Sequence, residues 1–142
     1  MATQMSDDER RAFLTAGGRT AVLSTVRKDG RPHAAPIWFV LDTDDVVFTT
    51  GHDTLKGRTL RRTRYAALTV DDPAPPFSFV TVSGRVEISD DVEAMLPWSV
   101  ALGARFMGQE RAEEFGKRNA VPGELLVRLV PDNIVALRGI AD

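Results

Sequence analysis

The segment from Phe77 to Ile88 restricts the fold of this chain more than any other, because its apolar and polar residues alternate along most of its length. A period of two is typical of a long β-strand with one face in the core and the other in solvent. Gly84 interrupts the apolar face, which predicts a bend or bulge like those at the corners of a closing barrel. The apolar face consists of Val80, Val82, Val86 and Ile88.

Shorter segments rich in β-branched residues predict the remaining strands, and helices are predicted only between pairs of strands. The other predicted strands are Thr20 to Val26, His33 to Leu41, Val46 to Thr50, Tyr65 to Val70, Glu124 to Val130 and Ile134 to Leu137, with a turn at Pro131 to Asn133 between the last two. Helices are predicted after a capping box at Ser6, from about Thr54 to Thr63, from Asp90 to Gly108 with a break at Pro97, and from Gln109 to Arg118. This order predicts a mainly β fold: an antiparallel barrel with helical insertions, in one domain spanning residues 1–142.

The strand predicted from His33 to Leu41 has an unusual apolar run. Ile37 to Leu41 contains no polar residue, which predicts that both faces of this part of the strand are covered. Pro36 has no amide hydrogen, so we expect it at an edge or a bulge, where the backbone can be exposed to a ligand.

Composition excludes several classes of function. The chain has no cysteine, which removes disulfides, thiolate metal sites and cysteine nucleophiles together. Its net charge of −2 argues against a general polyanion binder. It has neither a secretory signal nor an apolar run approaching the ~20 residues that span a bilayer, so we expect a cytoplasmic protein that does not enter membranes.

The segment from Val46 to Arg62 predicts a strand, a short polar turn and the start of a basic helix. With Asp53 as the expected N-cap, Thr54 and Lys56 fall in the first helical turn, where free backbone N–H groups favour an anion such as a phosphate. The alternative is a capped surface helix whose Lys and Arg side chains are merely solvated.

No motif for self-contained catalysis is present. His33 and His52 are the only histidines, and neither has the spacing of a metal site. The chain also lacks a nucleophile elbow, a Walker loop and a dinucleotide fingerprint. We therefore expect a bound cofactor to perform any redox chemistry, and no residue is predicted as a dedicated acid or base.

Phe48 to Leu60 resembles the phosphate-binding signature of the pyridoxamine 5'-phosphate oxidase-like split-barrel superfamily, with Thr50, Thr54 and Lys56 at the positions that bind phosphate. Three further features are similar to its branch that uses a deazaflavin, coenzyme F420. These features are Gly30 to His33 leading into Pro36 to Phe39, Leu60 to Arg62 before Tyr65 to Val70, and Phe77 to Gly84 ahead of Arg105 to Gly108. The resemblance implies an antiparallel split barrel and a homodimer that holds the cofactor ring at its subunit interface.

One departure from the superfamily pattern favours the deazaflavin. FMN-dependent oxidases of this superfamily carry an additional basic residue before the phosphate turn, whereas Pro36 to Thr50 contains no Lys or Arg. FMN's dianionic phosphate would lose a charge-assisted hydrogen bond that contributes roughly 1.5–3 kcal/mol. A phosphodiester, as in the deazaflavin tail, needs less compensation, so coenzyme F420 is the expected cofactor and FMN the alternative.

The expected function is hydride transfer from reduced coenzyme F420 to a small conjugated acceptor whose identity the sequence does not predict. Arg58, Arg61 and Arg62 are expected near the anionic tail. Phe77 to Phe79 are expected either at the rim of the ring pocket of the partner subunit or in ordinary strand packing. Trp38 is expected at the ring, in the core or in the dimer interface. We expect the segment from Asp90 to Arg118 to shape the substrate pocket. The predicted cofactor-binding residues are Pro36, Ile37, Trp38, Thr49, Thr50, Thr54, Leu55, Lys56, Arg58, Arg61, Phe77, Ser78 and Phe79.

Three alternatives remain open at this point. The chain could be an FMN-dependent oxidase or reductase of the same fold, or a cofactor-binding protein without catalysis. The third alternative is a nucleic-acid binder that uses the basic residues between Lys56 and Arg64. It has poor support, because Tyr65 is the only aromatic residue beside that cluster and single-strand binding needs stacking rings.

Overall fold

The computed structural model describes residues 1–142 and contains eight strands and four α-helices. A short 3₁₀ turn, Gln109–Arg111, precedes the last helix. In chain order the elements are β1 Thr3–Gln4, α1 Asp7–Thr15, β2 Ala21–Val26, β3 Pro32–Ile37, β4 Val40–Asp42, β5 Asp45–Gly51, α2 Leu55–Thr63, β6 Tyr65–Asp72, β7 Ser78–Ser89, α3 Val92–Met107, α4 Ala112–Asn119 and β8 Glu124–Arg138.

All eight strands belong to one antiparallel sheet, in the order β3-β2-β6-β7-β8-β5-β4, with β1 paired to the end of β8. The two edge strands are consecutive in the chain, since β3 ends at Ile37 and β4 begins at Val40. Two residues cannot bridge the width of a flat sheet of this size, so the sheet must curl until its edges nearly meet. The predicted mainly β, antiparallel barrel with helical insertions is confirmed.

The barrel interior holds one hydrophobic core, and α2 packs against it. Phe39, Phe48 and Leu68 are fully buried there, together with Leu60 of α2. A Cβ added at Gly57 would lie 2.1 Å from the carbonyl oxygen at the end of β5, so only glycine lets the first turn of α2 approach that strand so closely.

The predicted irregularity at Gly84 is confirmed as a bulge between the two longest strands. β7 and β8 are paired from Phe79 to Ser89, and their register shifts between Ser83 and Gly84. Pro131 and Asn133 are the partners on either side of the shift, which leaves Asp132 as the extra residue. The predicted turn from Pro131 to Asn133 is therefore wrong: β8 continues through it as a single strand.

Two predictions about breaks in the chain are also wrong. The strand predicted from His33 to Leu41 is interrupted at Trp38 and Phe39, because the chain passes there from one sheet edge to the other. Phe39 is fully buried but Trp38 is 37% exposed, so the apolar run is not covered on both sides in a single chain. Conversely, α3 runs unbroken through Pro97.

The remaining differences concern element ends. The Asp91 carboxylate caps α3 by accepting hydrogen bonds from the N–H groups of Glu93 and Ala94. β7 begins at Ser78 because Phe77 has a φ of 67°, outside the extended region. The helix predicted from Gln109 starts as the 3₁₀ turn and becomes α4 at Ala112. β1 was not predicted. None of the helices combines the length and the apolar character required to cross a lipid bilayer.

Candidate functional site

The turn between β5 and α2 is built by two threonine hydroxyls. Thr54, and not the predicted Asp53, is the N-cap of α2: its Oγ1 accepts a hydrogen bond from the Gly57 N–H at 3.0 Å. The same hydroxyl donates to the Gly51 carbonyl at 2.8 Å, so Thr50, whose Oγ1 lies 3.2 Å away, must donate to it. The Thr54 hydroxyl thus has its donor and acceptors committed within the chain and holds the turn in shape.

A cavity of about 410 Å³ opens beside this turn. Its size lies within the range of roughly 300–1,000 Å³ that is usual for sites of small ligands and cofactors. The walls come from three parts of the fold: the β3–β4 break, the β5–α2 unit, and helices α3 and α4. The lining residues are Thr20, Pro36, Ile37, Trp38, Thr49, Lys56, Ser99, Leu102, Gly103 and Asn119.

Five predicted cofactor-binding residues meet in this cavity: Pro36, Ile37, Trp38, Thr49 and Lys56. Sequence reasoning missed the individual residues that α3 and α4 contribute, although the segment from Asp90 to Arg118 was expected to shape a pocket. No sequence motif marks these residues. Their signal is only that α3 buries one face, which consists of Met95, Ser99, Leu102 and Gly103.

Lys56 is the only ionisable side chain that lines the cavity, and it makes no salt bridge or hydrogen bond within the chain. Glu124, on β8, lies close enough to Lys56 for the two charges to interact. Burial raises the pKa of the Glu124 carboxyl, and the positive charge of Lys56 partly opposes that rise. The cavity therefore offers an unpaired cation at the first turn of α2, where the helix dipole also favours an anion.

An aromatic stack supports another wall of the cavity. The Trp38 and Phe106 rings are parallel within 1°, with centroids 5.0 Å apart. Arg105 anchors the region by donating hydrogen bonds to the carbonyls of Leu14 at 2.6 Å, Phe39 at 2.7 Å and Gly17 at 3.2 Å. Desolvation by burial lowers the pKa of this guanidinium. Sequence reasoning noted Arg105 only as part of a family-like motif, not as a clamp.

A second, strongly basic groove of about 480 Å³ lies along another side of α2. It contains the predicted residues Leu55 and Arg58, together with Arg62. No aromatic ring lines it, so it lacks the stacking platform that the nucleic-acid alternative requires. The lining residues are Arg27, Lys28, Asp29, Leu55, Arg58, Thr59 and Arg62.

The remaining predicted residues lie apart from the cavity within one chain. Arg61 points to a third side of α2, where it donates to the His52 carbonyl at 3.0 Å. Ser78 and Phe79 pair with Asp72 and Asp71 of β6, and neither they nor Phe77 line the cavity or the basic groove. Phe77 is 41% exposed.

The composition of the cavity wall limits what chemistry its side chains can perform. It contains no His, Asp, Glu or Cys, and no group of such residues in the chain is arranged to hold a metal ion. With lysine as the single titratable group, the wall is suited to binding and orienting a ligand more than to moving protons.

Comparison with known proteins identifies the family of this chain. A family model described as pyridoxamine 5'-phosphate oxidase matches residues 6–136. A pyridoxine/pyridoxamine 5'-phosphate oxidase from Pseudomonas putida (strain W619) is 36% identical over an alignment of 107 residues, and the match covers 71% of this chain and 48% of that protein. The chain thus spans about half the length of this curated relative.

Solved structures share the whole barrel. A conserved hypothetical protein from Mycobacterium tuberculosis superposes with a TM-score of 0.81 at 25% identity, covering 93% of this chain and 84% of that one. A protein named F420 reductase gives a TM-score of 0.68 at 24% identity over 87% and 94% of the two chains. HutZ, a heme storage protein from Vibrio cholerae, gives 0.73 at 19% identity over 95% and 97%.

The likenesses to the F420 reductase and the heme storage protein show the fold, and the family model covers almost the entire chain. With its antiparallel split barrel and its cavity at the start of α2, the chain belongs to the pyridoxamine 5'-phosphate oxidase family.

Proposed function

We propose that this protein is an oxidoreductase that binds coenzyme F420 in the cavity and reduces a small conjugated organic acceptor. The observation that carries the proposal is Lys56, an unpaired cation at the first turn of α2 in a wall that also holds Trp38 and Ile37. That combination suits a planar ring attached to an anionic group. The similarity in fold to an F420 reductase supports the same cofactor.

The residues present fit this cofactor. Lys56 would hold the phosphodiester, and Arg58 and Arg62 in the basic groove would hold the negatively charged tail. Trp38 and Ile37 would pack against the ring. When bound, the deazaflavin supplies the hydride. The chain's own residues orient the cofactor and exclude water from the cavity.

We propose further that the functional unit is a homodimer. Val22 and Val26 of β2 are 45% and 53% exposed and pair with Pro36 and Pro32 of β3, which gives the sheet an apolar outer surface beside the cavity. A second copy on this surface could bring Phe77 to Phe79 to the cavity, which they do not reach within one chain. Light scattering on the cofactor-bound protein measures the state directly, and a monomer would contradict the proposal.

Titration of the purified protein with coenzyme F420 and with FMN tests the choice of cofactor. We expect F420 to bind more tightly, because no Lys or Arg between Pro36 and Thr50 is available for a second phosphate charge. Tight FMN binding with weak or absent F420 binding would overturn the proposal and favour FMN, the second candidate, which membership of this family also supports.

Lys56→Ala tests where the anion binds. We expect F420 affinity to fall about tenfold or more, equivalent to ~1.4 kcal/mol. Lys117→Ala is the matched control, because Lys117 is an exposed lysine on α4 that does not line the cavity. Equal dissociation constants for the wild type and the Lys56 variant would show that the anion lies elsewhere.

Binding of the cofactor without catalysis is the other candidate function. One feature of the cavity wall favours this candidate: Lys56 is the only titratable group in the wall, and binding alone requires no proton transfer. Oxidation of reduced F420 that depends on the concentration of an added acceptor supports an enzyme. Tight F420 binding with no acceptor-dependent rate across a broad panel of conjugated acceptors supports a binding protein.

A further inference from the structure

One buried hydroxyl in the cavity wall has no hydrogen-bond partner. Ser99 of α3 is 2% exposed, and its Oγ makes no hydrogen bond within the chain. A serine inside a helix commonly donates to the carbonyl four residues earlier, but Ser99 makes no such bond. Buried hydroxyls are normally satisfied, because leaving one without a partner is unfavourable.

The location of Ser99 indicates where its partner comes from. The chain contains four buried side-chain atoms without a partner, in Thr25, His33, Arg61 and Ser99, and Ser99 is the only one of these residues that lines the cavity. The Oγ itself is buried in the wall, so a rotation of the Ser99 side chain about χ1 has to turn it toward the cavity before it can bond a molecule there. With that rotation, a molecule that fills the cavity is the available source of the missing hydrogen bond.

The surroundings of Ser99 indicate the chemistry of that molecule. Leu102 and Gly103, one turn further along α3, line the same wall and carry no polar side chain. The only charge in the cavity is Lys56, which belongs to α2 on another wall. A charged group beside Ser99 would lose its hydration against apolar neighbours without a counter-ion, whereas a carbonyl or ring nitrogen needs only the hydroxyl.

We propose that Ser99 is a specificity-determining residue that hydrogen-bonds an uncharged carbonyl or ring nitrogen at the edge of the cofactor's heteroaromatic ring. The inference rests on the proposed function, since it assumes that the cavity holds the cofactor. Lys56 and Ser99 then bind different parts of one ligand: Lys56 binds the anionic group, and Ser99 binds the edge of the ring. This arrangement disfavours purely hydrocarbon or aromatic ligands that cannot satisfy the buried hydroxyl.

Ser99→Ala separates the two roles when cofactors with and without the anionic group are compared. The probes are FMN and riboflavin, and coenzyme F420 and the corresponding deazaflavin that lacks the phosphodiester tail. Within whichever pair binds, we expect the Ser99 variant to lose about three- to tenfold in affinity for both members alike. Lys56→Ala should weaken only the anionic member.

Thr25→Val is the matched control, because Thr25 is 3% exposed and its hydroxyl also lacks a partner, but it does not line the cavity. We expect it to leave every affinity unchanged. Thermal unfolding of the ligand-free protein gives an independent readout: removal of an unpartnered hydroxyl should leave the melting temperature of the Ser99 variant equal to or above that of the wild type. A lower melting temperature would show a structural hydrogen bond and overturn the inference.

The remaining outcomes are also decisive. If Ser99→Ala leaves all affinities unchanged while Lys56→Ala weakens the anionic ligands, the inference fails and the proposed function stands. A loss restricted to the anionic members would mean that Ser99 serves the phosphate, which contradicts a role at the ring edge. If the wild type binds none of the four probes, the proposed function fails and the inference fails with it.

Discussion

The Arg105 clamp leads to a quantitative prediction about stability. Its guanidinium donates at 2.6 Å and 2.7 Å to the part-buried carbonyls of Leu14 and Phe39, and at 3.2 Å to the exposed carbonyl of Gly17. It thereby joins α1, the break between β3 and β4, and α3. Arg105→Ala removes all three hydrogen bonds and leaves two part-buried carbonyls without a partner.

The magnitude follows from these contacts. Each of the two short bonds from a charged donor contributes about 1.5 kcal/mol, and the long exposed one contributes little, so the free energy of unfolding should fall by about 3 kcal/mol. For a chain of this length that loss lowers the melting temperature by roughly 10 °C. Arg105→Lys keeps the charge but cannot reach three carbonyls in a fixed planar geometry, so we expect it to recover only part of the loss.

Urea denaturation, followed by tryptophan fluorescence, measures the effect. Trp38 stacks on Phe106, the neighbour of Arg105, so the folded-state emission of the variant should also change. Arg118→Ala is the control, because Arg118 is exposed on α4 and makes no salt bridge; we expect it within ~0.5 kcal/mol of the wild type. An Arg105→Ala variant as stable as this control would refute the clamp.

Two further predictions concern acid stability and the approach of α2 to the sheet. The pKa of Asp44 is lowered to about 2 by hydrogen bonds from Arg11 and Arg10, below the usual 3.8. As the pH falls, Asp44 therefore takes up its proton at a higher pH in the unfolded chain than in the folded one. Its contribution to the free energy of unfolding is fully present above about pH 4 and is lost as the pH falls toward 2. The Asp44 side chain is 37% exposed, so after discounting for solvent screening we expect Asp44→Asn to cost about 1 kcal/mol at pH 7 and little at pH 2; equal costs at both pH values would contradict this. Gly57→Ala should destabilise by about 1–3 kcal/mol, because the added Cβ would lie 2.1 Å from a backbone oxygen, while Gly18→Ala, with its nearest neighbour at 3.9 Å, should be nearly neutral in the same urea titration. Equal stability of the two glycine variants would show that α2 shifts freely away from β5.

The elements that sequence predicted well are those whose pattern is local. The alternation from Phe77 to Ile88 identified the long strand β7, and the basic segment after Gly51 identified α2. The bulge was predictable because Gly84 interrupts an otherwise regular face, and β-bulges favour glycine where the backbone crowds its partner.

The predictions that were wrong depended on neighbours distant in sequence. The run from Ile37 to Leu41 is apolar throughout, and only the barrel shows that the chain leaves one sheet edge there and joins the other. Asp53 and Thr54 are both good N-caps, so local preference could not choose between them. Thr54 takes the role in the structure, where Thr50 and the Gly51 carbonyl complete the bonding of its hydroxyl.

Local periodicity and local motifs need only the order of residues along the chain. They determined the β-rich antiparallel class, the β5–α2 turn and Lys56 as a candidate for binding an anion. Tertiary structure alone decided that α3 and α4 face Lys56 across a cavity, that Arg105 joins three elements, and that Ser99 is buried without a partner. These features depend on which distant surfaces pack together, and a single sequence does not encode that pairing in any local pattern.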